Sequence, residues 1–151
     1  MYARYPPTHN IMRKKLSCIL LVDDDEPTNF LNRAALEEAG CAERIEVAQS
    51  GEAALSYLRQ AGGQDSPYPI PNLIFLDINM PAMDGWEFLS HYNVLLKAQR
   101  AEVVVVMLTT SLNPEDEIKA HSIPAISGFR CKPLTRSMID SLLRVYFPGY
   151  F

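Results

Sequence analysis

At 151 residues the chain has the length of one domain, enough to bury a core without disulfide staples. Its 48% hydrophobic and 21% charged residues are ordinary for a soluble globular protein, and a net charge of −4 lacks the basic excess of nucleic-acid or anionic-membrane binders. The scattered cysteines Cys18, Cys41 and Cys131 have no metal-ligand spacing and read as reduced residues of a cytoplasmic protein.

In chain order, Met1–Met12 carries Tyr2, Tyr5, Pro6, Pro7 and His9 without periodicity. Residues 1–15 read as a flexible extension and residues 16–151 as the folded domain. The apolar run Leu16–Val22 stops at three aspartates. It is far short of the ~20 residues that span a bilayer and has no small-residue cleavage site, so the chain reads as neither exported nor inserted. Cys18–Val22, Leu73–Leu76 and Val103–Leu108 are continuous apolar runs, with weaker candidates at Arg44–Ala48 and Gly128–Cys131. Such runs suit strands covered on both faces, as in a parallel sheet.

Helical patterns lie between them. Glu26–Ala39 carries its apolar residues at Phe30, Leu31, Ala34, Ala35 and Leu36, with Pro27 at its start and Gly40 at its end. Ser50 caps a second helix through Gln60, with Leu55 and Leu58 inward. Gly62–Pro71 then reads as a surface loop. Gly85–Lys97 places Phe88, Leu89, Tyr92, Leu95 and Leu96 at helical spacing. Asn113-Pro114-Glu115-Asp116-Glu117 is a helix start: cap, proline, then acids at the positive dipole end. Thr135–Phe147 supplies Met138, Ile139, Leu142 and Leu143 before Pro148. The order is (βα)₅, a three-layer α/β sandwich.

In such a sheet, ligands sit beyond the carboxyl ends of the strands. The first run ends in Asp23-Asp24-Asp25-Glu26, the third in Asp77, the fourth in Thr109-Thr110-Ser111 and the fifth in Lys132-Pro133. In a 2-1-3-4-5 order, with ~4.8 Å between strands, these groups fall within roughly 10 Å on either side of Asp77. Clustered carboxylates repel, and a hard divalent cation such as Mg²⁺ relieves the repulsion. Lys132 and the Thr109 hydroxyl add a cation and a donor where further anionic oxygens would arrive. A carboxylate can itself act as nucleophile and form an acyl phosphate. Asp25 and Glu26 are read as helix-capping acids, and His9, His91 and His121 as surface residues.

These segments resemble the response-regulator receiver domain of two-component signalling. The likeness rests on Ile19-Leu20-Leu21-Val22-Asp23-Asp24, on Leu76-Asp77-Ile78-Asn79-Met80-Pro81-Ala82-Met83-Asp84-Gly85, on Met107-Leu108-Thr109-Thr110-Ser111 and on Gly128-Phe129-Arg130-Cys131-Lys132-Pro133. It spans about Leu16 to Phe147 and implies a flavodoxin-like fold with a parallel five-stranded sheet of order 2-1-3-4-5. By this resemblance Asp77 is the phosphoacceptor, and Mg²⁺ is held by Asp23, Asp24, Asp77 and the backbone carbonyl of Asn79. Thr109 is the switch hydroxyl, Phe129 the switch aromatic, and Lys132 the lysine that pairs with the phosphoryl group. Pro133 stands where the family often has a cis Lys-Pro bond. Pro81 and Gly85 shape the loop after Asp77, the glycine suiting a positive φ, and Ser111 and Asn79 border the path of hydrolytic water. Trp86 reads as a partly exposed cover for that loop.

The implied donor is a phosphohistidine on a sensor histidine kinase or histidine phosphotransfer protein. Output passes by docking to a downstream protein or by phosphorelay, from a monomer or weak dimer, without nucleic acid or membrane. The rival reading is a Mg²⁺-dependent phosphohydrolase working through an aspartyl phosphate. Such enzymes usually show Asp-x-Asp, and here the second position is Asn79, which limits turnover to slow self-hydrolysis.

Overall fold

The computed structural model describes residues 14–95, 103–110 and 113–150. The expectations for Met1–Met12, for Leu96 and Lys97, and for Ser111 lie outside these residues. The elements alternate as β1 (Leu16–Val22), α1 (Glu26–Ala39), β2 (Ala42–Ala48), α2 (Gly51–Gln60), β3 (Leu73–Asp77), α3 (Gly85–Leu95), β4 (Val104–Thr109), α4 (Pro114–His121), β5 (Gly128–Cys131) and α5 (Arg136–Tyr146). The five strands form one parallel sheet of order β2-β1-β3-β4-β5. This is the doubly wound arrangement that the alternating runs and the family resemblance predict.

Alternate residues of each strand face opposite sides of the sheet, and both sides are covered. On one side Leu20, Val22, Ile74, Leu76, Val105 and Met107 share a core with α2, α3 and α4. On the other, Ile19, Leu21, Phe75, Val106 and Leu108 share a core with Leu36 of α1 and with Ile139, Leu142 and Leu143 of α5. The helix starts follow local chemistry. Asp25, Ser50, Asn113 and Thr135 each accept a hydrogen bond from a first-turn backbone N–H. Gly40 closes α1 in the left-handed region at φ 62°, with its N–H on Leu36 and Glu37 carbonyls.

Helix α1 departs from the reading of its apolar pattern. Phe30 is 72% exposed and Leu31 55% exposed, whereas Asn29 and Asn32 are buried along with Leu36. The inner side of α1 meets polar main chain at the end of β1 and in the β5–α5 loop as well as the apolar sheet. Asparagine amides satisfy that main chain where apolar side chains would leave it unpaired.

At the opposite end of the sheet, Phe147 is buried and the ring of Tyr150 packs edge-on against it at 5.7 Å. The Lys14 ammonium lies 5.1 Å from the centre of the Tyr150 ring. Cys18 and Cys41 are buried and Cys131 is half-buried, and none of them forms a disulfide. No helix among the described residues is long and apolar enough to cross a membrane.

Candidate acidic pocket at the strand ends

The chain leaves β1 through Asp23 and β3 through Asp77, so their carboxylates emerge on adjacent strands. Register puts Val22 beside Leu76, one residue before each aspartate. Both aspartates are buried, at 4% and 5% exposure, and Asp24 beside them is exposed. The three residues offer carboxylate oxygens lying within 4.8 Å of one another.

Lys132, one residue past β5, reaches beyond the end of β4 into this cluster. Its Nζ donates to Asp23 Oδ2 at 2.7 Å and to Asp77 Oδ1 at 3.0 Å, and its side chain is 8% exposed. The second oxygen of Asp23 accepts from the Asp25 N–H at 2.9 Å. One ammonium therefore faces three carboxylates.

The titration of the pair follows from that imbalance. Burial pushes the Asp77 carboxyl above its ordinary value; the Lys132 hydrogen bond works against the rise, and the Asp23 charge adds to it. For Lys132 burial pulls downward, but its hydrogen bonds to Asp23 and Asp77 outweigh that and raise it, so the ammonium stays charged.

The surroundings fix these groups. Thr109 ends β4 and is buried, and its carbonyl accepts the Lys132 N–H at 2.8 Å. The Lys132-Pro133 bond is cis, the isomer the resemblance implies. Phe129 lies inside the core shared with Met107 and Ala120. After Asp77 the chain turns through exposed Asn79 and Pro81 to Ala82 at φ 67°, and Asp84 caps α3 by accepting from the Glu87 N–H at 2.9 Å. Gly85 has no positive φ, contrary to the sequence reading. A glycine is needed there for close approach, since a Cβ would stand 2.5 Å from the Asp77 carbonyl oxygen. Trp86 is half-buried, with the Lys119 ammonium 4.6 Å from its ring centre, and His91 and His121 are exposed.

Two residues at the edge of the site escaped the sequence reading. Asn29 donates from Nδ2 to the Asp23 carbonyl at 2.8 Å, and Asn32 Oδ1 accepts the Leu134 N–H at 3.0 Å. The available signal was two asparagines three residues apart within an otherwise amphipathic helix.

Chemically, the pocket is an oxygen-only donor set with one open, solvent-facing carboxylate and an excess of negative charge. That set fits a hard divalent cation that retains water, and it does not suit zinc or another thiolate-seeking metal. The Asp77 carboxylate is buried and held between a cation and this acidic cluster.

A doubly wound (βα)₅ sheet with a lysine-bridged acidic pocket at its carboxyl end defines a class of phosphorylation-regulated switch domains. The response regulator receiver domain model matches residues 19–144, and the chain belongs to that family. It is 36% identical over 120 residues, 78% of this chain and 72% of the relative, to a probable methanogenesis regulatory protein, FilR2, of Methanothrix harundinacea. The crystal structure of a two-component response regulator from Cytophaga hutchinsonii superposes with a TM-score of 0.77 at 31% identity, covering 89% of this chain and 99% of that one. A phosphorylated cyanobacterial phytochrome response regulator, RcpA, is similar at a TM-score of 0.68 and 25% identity, covering 89% and 96%. The domain is a phosphorylation-dependent signalling switch of the two-component type, and the phosphohydrolase reading is not favoured. Receiver domains work with histidine kinases or phosphotransfer proteins.

Proposed function

We propose that Asp77 is the phosphoacceptor of this switch. The observation that carries the reading is the buried Asp77 carboxylate sharing the Lys132 ammonium with Asp23, beside a solvent-open Asp24. Asp23, Asp24, Asp77 and the Asn79 backbone carbonyl would hold Mg²⁺. Bound there, Mg²⁺ supplies charge neutralisation to the carboxylates and to the arriving phosphoryl oxygens.

The chain's own residues do the rest. An Asp77 oxygen attacks the phosphorus of a phosphohistidine, the N–P bond breaks, and its electron pair returns to the imidazole. Lys132, already within hydrogen-bond reach of Asp77, pairs with the new anionic oxygens, and the Thr109 hydroxyl turns toward them. The modification adds roughly −1.5 to −2 charge and three acceptor oxygens. Phe129, buried in the core beside Met107, then fills the space that the Thr109 side chain leaves. The change is a shift between two populated arrangements of the α4–β5–α5 region.

The donor is a sensor histidine kinase or a histidine phosphotransfer protein in the cytoplasm. Residues 16–151 form the switch, which signals by docking to a downstream protein or by relaying the phosphoryl group, as a monomer or weak dimer. Loss of the group is slow self-hydrolysis. With acetyl phosphate and Mg²⁺, the wild type gains phosphoryl mass and Asp77→Asn, though folded, gains none. A labelled Asp77→Asn protein refutes the assignment.

A further inference from the structure

The two buried asparagines of α1 stand at positions where an amphipathic helix would place apolar side chains. Asn29 is 4% exposed and Asn32 1% exposed, while their neighbours Phe30 and Leu31 face outward. A buried amide is costly unless it is paired, and here each pairing falls on main chain next to the Lys132–Asp23 ion pair.

The Asp23 carbonyl can only accept, so the amide of Asn29 is oriented with Nδ2 toward it. That orientation leaves Asn29 Oδ1 buried with no hydrogen-bond partner. A leucine would avoid this cost, so the Nδ2 donor to Asp23 is what the position supplies. Asn32 reaches across 102 residues of sequence to the Leu134 N–H. Pro133 has no N–H to give. The loop that carries Lys132 is therefore held at two points, by the Thr109 carbonyl on the Lys132 N–H and by Asn32 on the Leu134 N–H. Between those points the lysine side chain is aimed at Asp23 and Asp77.

We propose that Asn29 and Asn32 are positioning residues for phosphoryl transfer: from one side of α1 they hold the main chain of Asp23 and of the Lys132 loop, and so keep the lysine aligned on the acceptor. This rests on the reading of Asp77 as phosphoacceptor. Phosphoryl transfer depends on positioning and charge more than on covalent assistance, so slack in the loop is felt in the rate.

The test measures the rate of phosphoryl mass gain from acetyl phosphate at saturating Mg²⁺ in the full chain, with thermal unfolding followed in parallel. Asn32→Leu keeps the branched side-chain skeleton and removes the acceptor; its rate falls about tenfold while the protein stays folded. Asn32→Asp keeps an oxygen at the same place and restores the rate to within about threefold of wild type. Asn29→Leu, which removes the donor to Asp23, is slowed like Asn32→Leu. A wild-type rate in both leucine variants overturns the proposal, as does an Asn32→Asp protein as slow as Asn32→Leu, because an acceptor oxygen at this position would then not be what sustains the rate. If neither leucine variant folds, the amides serve the fold and the proposal falls. An unlabelled wild type overturns the Asp77 reading itself, an outcome distinct from a labelled wild type with unaffected variants.

Discussion

Helices α1 and α5 lie side by side over the same face of the sheet, yet they use their inner sides differently. Helix α5 is conventional: Ile139, Leu142 and Leu143 are buried at helical spacing and enter one apolar core. Helix α1 contributes Leu36 to that core but buries Asn29 and Asn32 toward the site and leaves Phe30 and Leu31 outside. The difference teaches that burial in this domain has two purposes. Under α5 it excludes water from hydrocarbon; under the first half of α1 it pairs main chain that the sheet cannot pair.

Truncations sharpen the contrast. Ile139→Ala in α5 opens a cavity in the apolar core and costs about 2–5 kcal/mol, read from chemical denaturation. Thr135→Ala removes the α5 cap, whose hydroxyl accepts the Met138 N–H at 3.2 Å, and costs about 1 kcal/mol. Phe30→Ser on α1, although it deletes a large aromatic, changes stability by less than about 0.5 kcal/mol because that ring is already in water. A loss there comparable to that of Ile139→Ala would erase the distinction between the helices.

The pocket supplies a test whose sign is reversed. The folded state raises the Asp77 carboxyl above 3.8, mainly through burial, so the protonated form is favoured in the fold. The stability this confers is fully present below 3.8 and is lost as pH rises through the folded value. Asp77→Asn cannot ionise and escapes that loss. In metal-free buffer its denaturation midpoint matches wild type near about pH 3 and exceeds it at neutral pH. An advantage that is the same at both pH values would contradict the burial argument.

Much of this was legible in the residues. The apolar runs located all five strands, missing at most two residues at an end, since a strand buried on both faces has little alternative composition. The caps Asp25, Ser50 and Asn113 act through short, local hydrogen bonds and were readable as such, whereas Thr135 was read only as the first residue of its helix and caps it instead. Asp23, Asp77, Thr109 and Lys132 were recognisable because strand ends converge in a parallel sheet. The orientation of α1 was not legible: its determinants are the Asp23 carbonyl and the Leu134 N–H, one six residues before Asn29 and the other 102 residues after Asn32. Gly85 was recognised as necessary, but for the wrong reason. Its constraint is the Asp77 carbonyl across the turn, which no local φ preference reveals.

The contact between Lys14 and Tyr150 has a practical consequence. It joins the two ends of the described chain beside the starts of the strands, whereas the acidic pocket lies where they finish. A seven-residue strand such as β1 puts roughly 20 Å between those ends of the sheet. A dye or surface linker attached at Lys14 or beside Tyr150 therefore sits on the far side from Asp77. Immobilised that way, the molecule still presents its acidic pocket to solution.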